Sequence, residues 1–488
     1  MVFLSWIDDY KLEHCNVHVL VPIEGRGAIF LATTVQHVNE FTLADPSDSS
    51  RIRTMAGLYF ASFWCILFTG SVRKWIFPHI SVFYLLQDVP ILLAYLYAMW
   101  TGFFTRGLLL LGMILLSVVV LLQGLIQIIG IGLEPFVAVV GFHHYLFYLP
   151  MLLVFPISLT ERYRRDFIRW NLWLSIPMCF LAVTQALSPK SAWVNRTSEG
   201  EAFGLPGVSV ARVQGTFNFT AFFGTWVGMA LALCLGEWLV KRDRRVIQNL
   251  WVLISCTFSV SLCCLVSGSR QAILLCVASL LGAAIASIVL RSMRAIVAII
   301  GVCILLPIVA GATYWISPVE FATLQDRFTG DKNTSDVQER VTGAFYAFLT
   351  EPKFSLIGAG IGMGVDASHV GNANTYNFTY DLSEGDTIRN VMELGTPVGL
   401  GYLSVRFAFL LGMIFVSIKI VRSRSSPHVL PLSFTLFAQA WNGDMTRNAT
   451  MTSTQVMIGY AFILGTQMYP DAHSGPAPYS RVTVQEAL

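Results

Sequence analysis

The stretch Gly107–Gly130, GLLLLGMILLSVVVLLQGLIQIIG, carries no charged residue. Rising about 1.5 Å per residue as a helix, it is roughly 36 Å long, more than the ~30 Å hydrocarbon core of a bilayer. In lipid a segment must satisfy its own backbone polar groups, so a run of this length reads as a membrane-spanning helix. Similar runs recur on both sides of it, parted by short basic breaks. The composition agrees: of 488 residues, 55% are hydrophobic and 12% charged, and the mean hydropathy is +0.63. A soluble globular chain is excluded, and no nucleic-acid partner is expected. The formal net charge of +3 says little as a total. What matters is which loops hold the charge.

Taking the basic breaks as cytoplasmic threads the chain through spans at about 54–70, 80–100, 107–130, 136–159, 168–187, 216–239, 250–267, 271–290, 295–316, 394–418, 429–442 and 453–469. The expected fold is an all-α polytopic membrane protein with about twelve transmembrane helices, both termini cytoplasmic, and one large external (periplasmic) loop between spans nine and ten. The corresponding units are a cytosolic extension 1–50, helices over 51–317, the loop 318–393, helices over 394–470, and a cytosolic tail 471–488. Met1–Trp6 is too short for the apolar core of a signal peptide, and Asp8, Asp9, Lys11 and Glu13 follow at once. Apart from Cys15 the cysteines fall inside expected spans, and no polar loop holds a pair, so neither a disulfide nor a thiolate metal site is expected.

This threading leaves Arg73, Arg196, Arg212, Arg270, Arg327, Arg340 and Arg389 outside, against the insertion bias. Arginine offers a planar fork of donors matched to phosphate oxygens, and it keeps its charge. The plain alternative is pairing with a local acid, or snorkelling to headgroups. Arg270 stands apart, since it closes the tight turn Ser267-Gly268-Ser269-Arg270 between two apolar runs. Within the loop, Ser335-Asp336-Val337-Gln338 has the form of a helix start, followed by Val337, Val341, Phe345 and Phe348 at helical spacing, with Pro352 as the stop. Arg340 rides on that helix. The run Gly358-Ala359-Gly360-Ile361-Gly362-Met363-Gly364 lacks both the G-x-G-x-x-G spacing and a P-loop lysine, so it reads as a tight turn exposing backbone. Asp366, Asp381, Glu384, Asp386 and Glu393 are candidate bases. No metal site is expected, because His369 is the only histidine in the loop. Asp88, Glu237 and Arg406 fall within spans, where a charge must be paired or line a cavity; Asp88 is expected to pair with Arg73 or Lys74.

Several of these residues, in this order, resemble the O-antigen ligase and O-antigen polymerase (Wzy-type) superfamily of bacterial membrane glycosyltransferases. They are Arg212-Val213-Gln214-Gly215-Thr216-Phe217-Asn218 before a span, Ser267-Gly268-Ser269-Arg270 at a hairpin tip, and the loop sequence Arg327, Arg340, Pro352, the glycine run and Glu393-Leu394-Gly395. The likeness covers about 51–470. It implies a metal-independent, cofactor-free transfer at the bacterial inner membrane from an undecaprenyl-diphosphate-linked glycan. Arg212, Arg270, Arg327 and Arg340 would hold the diphosphate; Arg270, Arg327, Arg340 and Glu393 form the catalytic set; His369, Asp386 or Glu384 would be the general base. A chain-length regulator or another polysaccharide-export protein is the partner class. The ligase branch has a histidine shortly before the Glu-x-Gly element. Here that interval reads Glu384-Gly385-Asp386-Thr387-Ile388-Arg389-Asn390, which points to a polymerase rather than a ligase. A lipid-linked oligosaccharide flippase is the competing class, set back by the asymmetry of the one large loop.

Overall fold

The computed structural model describes residues 46–470 apart from 79, 198–210, 292, 317, 319–321, 323–324, 326–354, 366–384, 424–425, 444 and 446–449. The expectations for Arg327, Arg340, His369, Glu384, the Ser335 helix start and the terminal extensions lie outside the described residues.

The described residues form helices joined by turns. In order they are α1 (Pro46–Ser71, prolonged by a π turn over Val72–Ile76), a 3-10 stretch (Ser81–Gln87) leading into α2 (Asp88–Thr101), α3 (Leu108–Ile131), α4 (Pro135–Leu146), α5 (Met151–Val154), α6 (Glu161–Leu187) and α7 (Thr220–Leu239). There follow α8 (Leu250–Val266), α9 (Arg270–Leu290), α10 (Met293–Ile316), α11 (Asp386–Leu394), α12 (Thr396–Arg422), α13 (Val429–Asn442) and α14 (Thr450–Met468). Each apolar segment read from the sequence falls on helix. Among the described residues, seven stretches are long and apolar enough to cross a membrane: Ser49–Ile76, Leu108–Ile131, Pro135–Ser158, Glu161–Leu187, Thr220–Leu239, Arg270–Leu290 and Thr396–Arg422. Leu85–Thr101, Leu250–Val266, Ile300–Trp315 and Val429–Trp441 are shorter apolar helices. The first helix begins at Pro46, ahead of the expected boundary at 51, and Pro150 interrupts the helical path between α4 and α5.

Burial separates the helices into two kinds. The most apolar window of α7 is 89% buried, whereas that of α3 is only 17% buried. α7 is therefore the axis of the bundle, wrapped by α6, α8, α9, α13 and α14. Lipid-embedded helices gain little from hydrophobic exclusion between themselves, so close approach of small residues carries the packing. At Gly228 on α7 an added Cβ would meet Leu275 at 2.8 Å, and at Gly282 on α9 it would meet Pro431 at 2.7 Å. The buried residues of α3 form one stripe, Val120, Gln123, Gly124 and Gln127, at helical spacing. Two of those four are amides, and they reach the site.

Candidate functional site

One end of the bundle gathers the C-terminal ends of α1, α3 and α6, the N-terminal ends of α7 and α9, and all of α11. The glycine turn packs against α3, α4 and α11. Gly358, Gly360 and Gly362 have φ of +85°, +122° and +86°, the left-handed side that residues with a Cβ rarely adopt. Their bare Cα atoms let the turn lie against backbone, Gly358 on Glu393 and Gly362 on Val137.

Side chains from far along the chain fix the turn. Gln127 accepts from Ile361 N at 2.8 Å and donates to the carbonyls of Ile357 at 2.7 Å and Glu393 at 2.6 Å. Gln123 donates to Ile357 O at 2.6 Å. Glu393, fully buried, accepts through Oε1 from Gly364 N at 2.7 Å and through Oε2 from Gly362 N at 3.2 Å. The Tyr145 hydroxyl lies 2.9 Å from Glu393 Oε2 and 2.8 Å from Asn390 Oδ1. Burial lifts the Glu393 carboxyl to about 6, against the opposing pull of the Arg389 charge, the two glycine N–H groups and the Tyr145 hydroxyl.

On the same helix α11, Asp386 lies between two guanidinium groups. Its Oδ1 accepts from Arg389 Nη2 at 2.8 Å and its Oδ2 from Arg406 Nη2 at 3.0 Å. Both Asp386 and Arg389 are buried, and Arg406 comes from the spanning helix α12. This is the pairing that an intramembrane arginine requires. Both Asp386 oxygens are thereby engaged by guanidinium donors. Glu393 likewise works as the organiser of the turn, with both oxygens occupied by donors of the protein itself.

Arg212 and Arg270 are half-buried and sit on separately anchored backbone. The Arg212 segment is tied down by Lys74, whose buried Nζ donates to Gly215 O at 2.8 Å and Phe217 O at 2.6 Å. Gln185 accepts from Gly215 N at 2.8 Å and donates back to Gly215 O at 3.0 Å. Asn218 joins α1 to the same segment, its amide donating to Gly70 O at 3.1 Å and accepting from Arg73 Nη1 at 2.8 Å. Arg270 opens α9 directly after Ser269, which caps that helix by accepting from Ala272 N at 3.4 Å. The next residue, Gln271, donates to Gln439 Oε1 on α13 at 2.6 Å, and α13 packs on α11.

The structure corrects one pairing. Asp88 does not bond Arg73 or Lys74; its Oδ2 meets His143 Nε2 at 3.1 Å and its Oδ1 accepts from the Tyr148 hydroxyl at 2.8 Å. Lys74 is turned instead to two backbone carbonyls. Sequence reasoning also passed over Gln123, Gln127 and Tyr145. The visible signal for the first two was a pair of amides four residues apart in an otherwise apolar run, hence on one helix face.

Compared with protein-family models, with curated proteins and with solved structures, the chain has no significant match.

Proposed function

We propose that this chain is a metal-independent membrane glycosyltransferase. It polymerises undecaprenyl-diphosphate-linked oligosaccharide repeats of an O-antigen or exopolysaccharide on the periplasmic side of a bacterial inner membrane, within a fold of about twelve spans whose termini are cytoplasmic. The observation that carries this reading is the gathering, at one end of the bundle, of Arg212 and Arg270 on backbone held by buried donors. A diphosphate leaving group gains one negative charge on its terminal oxygens as the glycosidic bond breaks. Fixed guanidinium forks facing it stabilise that charge more than the ground state. Arg327 and Arg340 complete the set in this proposal. Glu393 and the glycine turn act as support. Transfer to a lipid A-core acceptor, the ligase reaction, would use the same donor site and differs only in acceptor; the missing histidine before Glu393 favours the polymerase.

The test is reconstitution in liposomes with an undecaprenyl-diphosphate glycan and no divalent metal, the products being resolved by size. A ladder of lipid-linked glycans supports the polymerase. Release of undecaprenyl diphosphate only on adding lipid A-core supports the ligase. Donor crossing the bilayer without being consumed overturns both in favour of a flippase.

A further inference from the structure

Two imidazole–carboxylate pairs are built into the bundle, and they differ in one respect. At the end of α7 opposite Arg212, His428 Nε2 meets Glu237 Oε1 at 2.9 Å and His428 Nδ1 meets Ser426 Oγ at 3.1 Å. Glu237 Oε2 accepts from Val246 N at 2.9 Å. Both ring nitrogens are engaged and the histidine side chain is 6% exposed, so this pair is a sealed joint between α7 and α13.

His143 is arranged differently. Its Nε2 meets Asp88 Oδ2 at 3.1 Å, and the other Asp88 oxygen accepts from the Tyr148 hydroxyl at 2.8 Å. In the tautomer whose Nε2 donates to Asp88, Nδ1 is the ring nitrogen that holds the lone pair. Nδ1 makes no hydrogen bond among the described residues, and the side chain is 25% exposed. The ring is also fixed in orientation, stacked on Phe147 at 4.9 Å with His144 and Tyr148 edge-on at 5.3 Å and 5.5 Å. Two residues further along α4, Tyr145 bonds Asn390 and Glu393 of α11, so the pair belongs to the same end of the bundle. Glycosyl transfer to a hydroxyl needs a proton acceptor. Among the candidate bases that the structure describes, Asp386 and Glu393 have both carboxylate oxygens occupied; His369 and Glu384 lie outside the described residues.

We infer that His143, aligned by Asp88 and Tyr148, is the proton acceptor of the transfer, an inference that rests on the glycosyltransferase reading. In the step, the acceptor hydroxyl oxygen bonds to the anomeric carbon as the bond from that carbon to the diphosphate oxygen breaks. The bonding pair leaves with the diphosphate, and the hydroxyl proton passes to His143 Nδ1. The resulting imidazolium is stabilised through Nε2 by Asp88. This is the division of labour in which a base is oriented by a third group.

The experiment uses the full-length protein in liposomes with undecaprenyl-diphosphate glycan as donor. His143→Gln retains a donor toward Asp88 and so preserves packing, yet it cannot take a proton. Its turnover is expected to fall by about 10²–10⁴ with donor KM unchanged. His143→Ala is expected to fall likewise and to recover in part on adding imidazole, which a purely structural histidine would not show. Asp88→Asn lowers turnover with donor KM unchanged. A His143→Gln protein within threefold of wild-type turnover overturns the inference, as does a His143→Ala protein that no imidazole restores. A wild-type protein that transfers nothing counts instead against the glycosyltransferase reading itself, so the two failures are told apart by the wild-type lane.

Discussion

Replacing Glu393 by Gln separates the two jobs that this buried carboxyl could have. The lift of its carboxyl from the ordinary 4.5 to about 6 by burial corresponds to about 2 kcal/mol between its two protonation states. Because the folded chain holds the proton more tightly than the unfolded one, protonation favours the fold. The contribution of Glu393 to stability therefore falls by about 2 kcal/mol as pH rises through the window from 4.5 to 6, and is level above about 7. The hydrogen bonds supply the structural route. Once protonated at Oε2, the acid donates to the Tyr145 oxygen while that hydroxyl turns to Asn390 Oδ1, 2.8 Å away. Glutamine mimics this neutral form: its oxygen keeps Gly364 N–H and its amide faces Tyr145. What it loses is the longer bond from Gly362 N, worth about 1 kcal/mol. Near pH 7.5, Glu393→Gln is thus expected within about 1 kcal/mol of wild type, without the wild-type pH slope between 4.5 and 6. Glu393→Ala strands two buried backbone donors, Gly362 N and Gly364 N, at about 3–5 kcal/mol. Thermal unfolding of the purified protein from pH 4.5 to 8, with hydrogen exchange across residues 355–365, measures both. If Glu393→Gln is as damaging as Glu393→Ala, or keeps the wild-type pH slope, this reasoning is wrong.

Three further outcomes follow from the geometry. Gly362→Ala places a Cβ against the Val137 carbonyl at φ +86° and is expected to lower stability by about 3 kcal/mol, whereas Gly112→Ala, with nothing within 4 Å, should leave it unchanged or slightly raised in the same melting series. Lys74→Met removes the cation bridging Gly215 O and Phe217 O; labelling of a cysteine placed at 212 by a water-soluble maleimide should accelerate at least tenfold while insertion persists. Arg406→Gln, by exposing half of the buried Asp386 charge, costs about 3–5 kcal/mol, and combining it with Asp386→Asn should recover about 1 kcal/mol or more relative to additivity, read from a double-mutant cycle.

The helices were legible in the sequence because lipid imposes one condition, a long uncharged run, which hydropathy reports directly. The site was legible only in pieces. Arg270 announced itself through its Ser-Gly-Ser turn, and the glycine run announced a tight turn. The partners of that turn did not show, since Gln127 and Ile361 are 234 residues apart and no local pattern joins them. Charge proximity along the chain misled in the case of Asp88, where the nearest cations in sequence lost to an imidazole 55 residues away. Lys74 is directed instead to two carbonyls just ahead of α7, those of Gly215 and Phe217. The resemblance assigns Glu393 catalytic work. Its neighbours turn that work inward, to the backbone.

The most direct test of the central claim is diphosphate-dependent transfer by wild type, Arg212→Ala, Arg270→Ala and the corresponding lysine variants, each reconstituted at matched protein level with the same undecaprenyl-diphosphate glycan. The account predicts a product ladder from wild type, a loss of about 10²–10³ in turnover for either alanine variant, and poor rescue by lysine, whose point charge lacks the bidentate fork. A double Arg212→Ala, Arg270→Ala protein that still produces the wild-type ladder would contradict it.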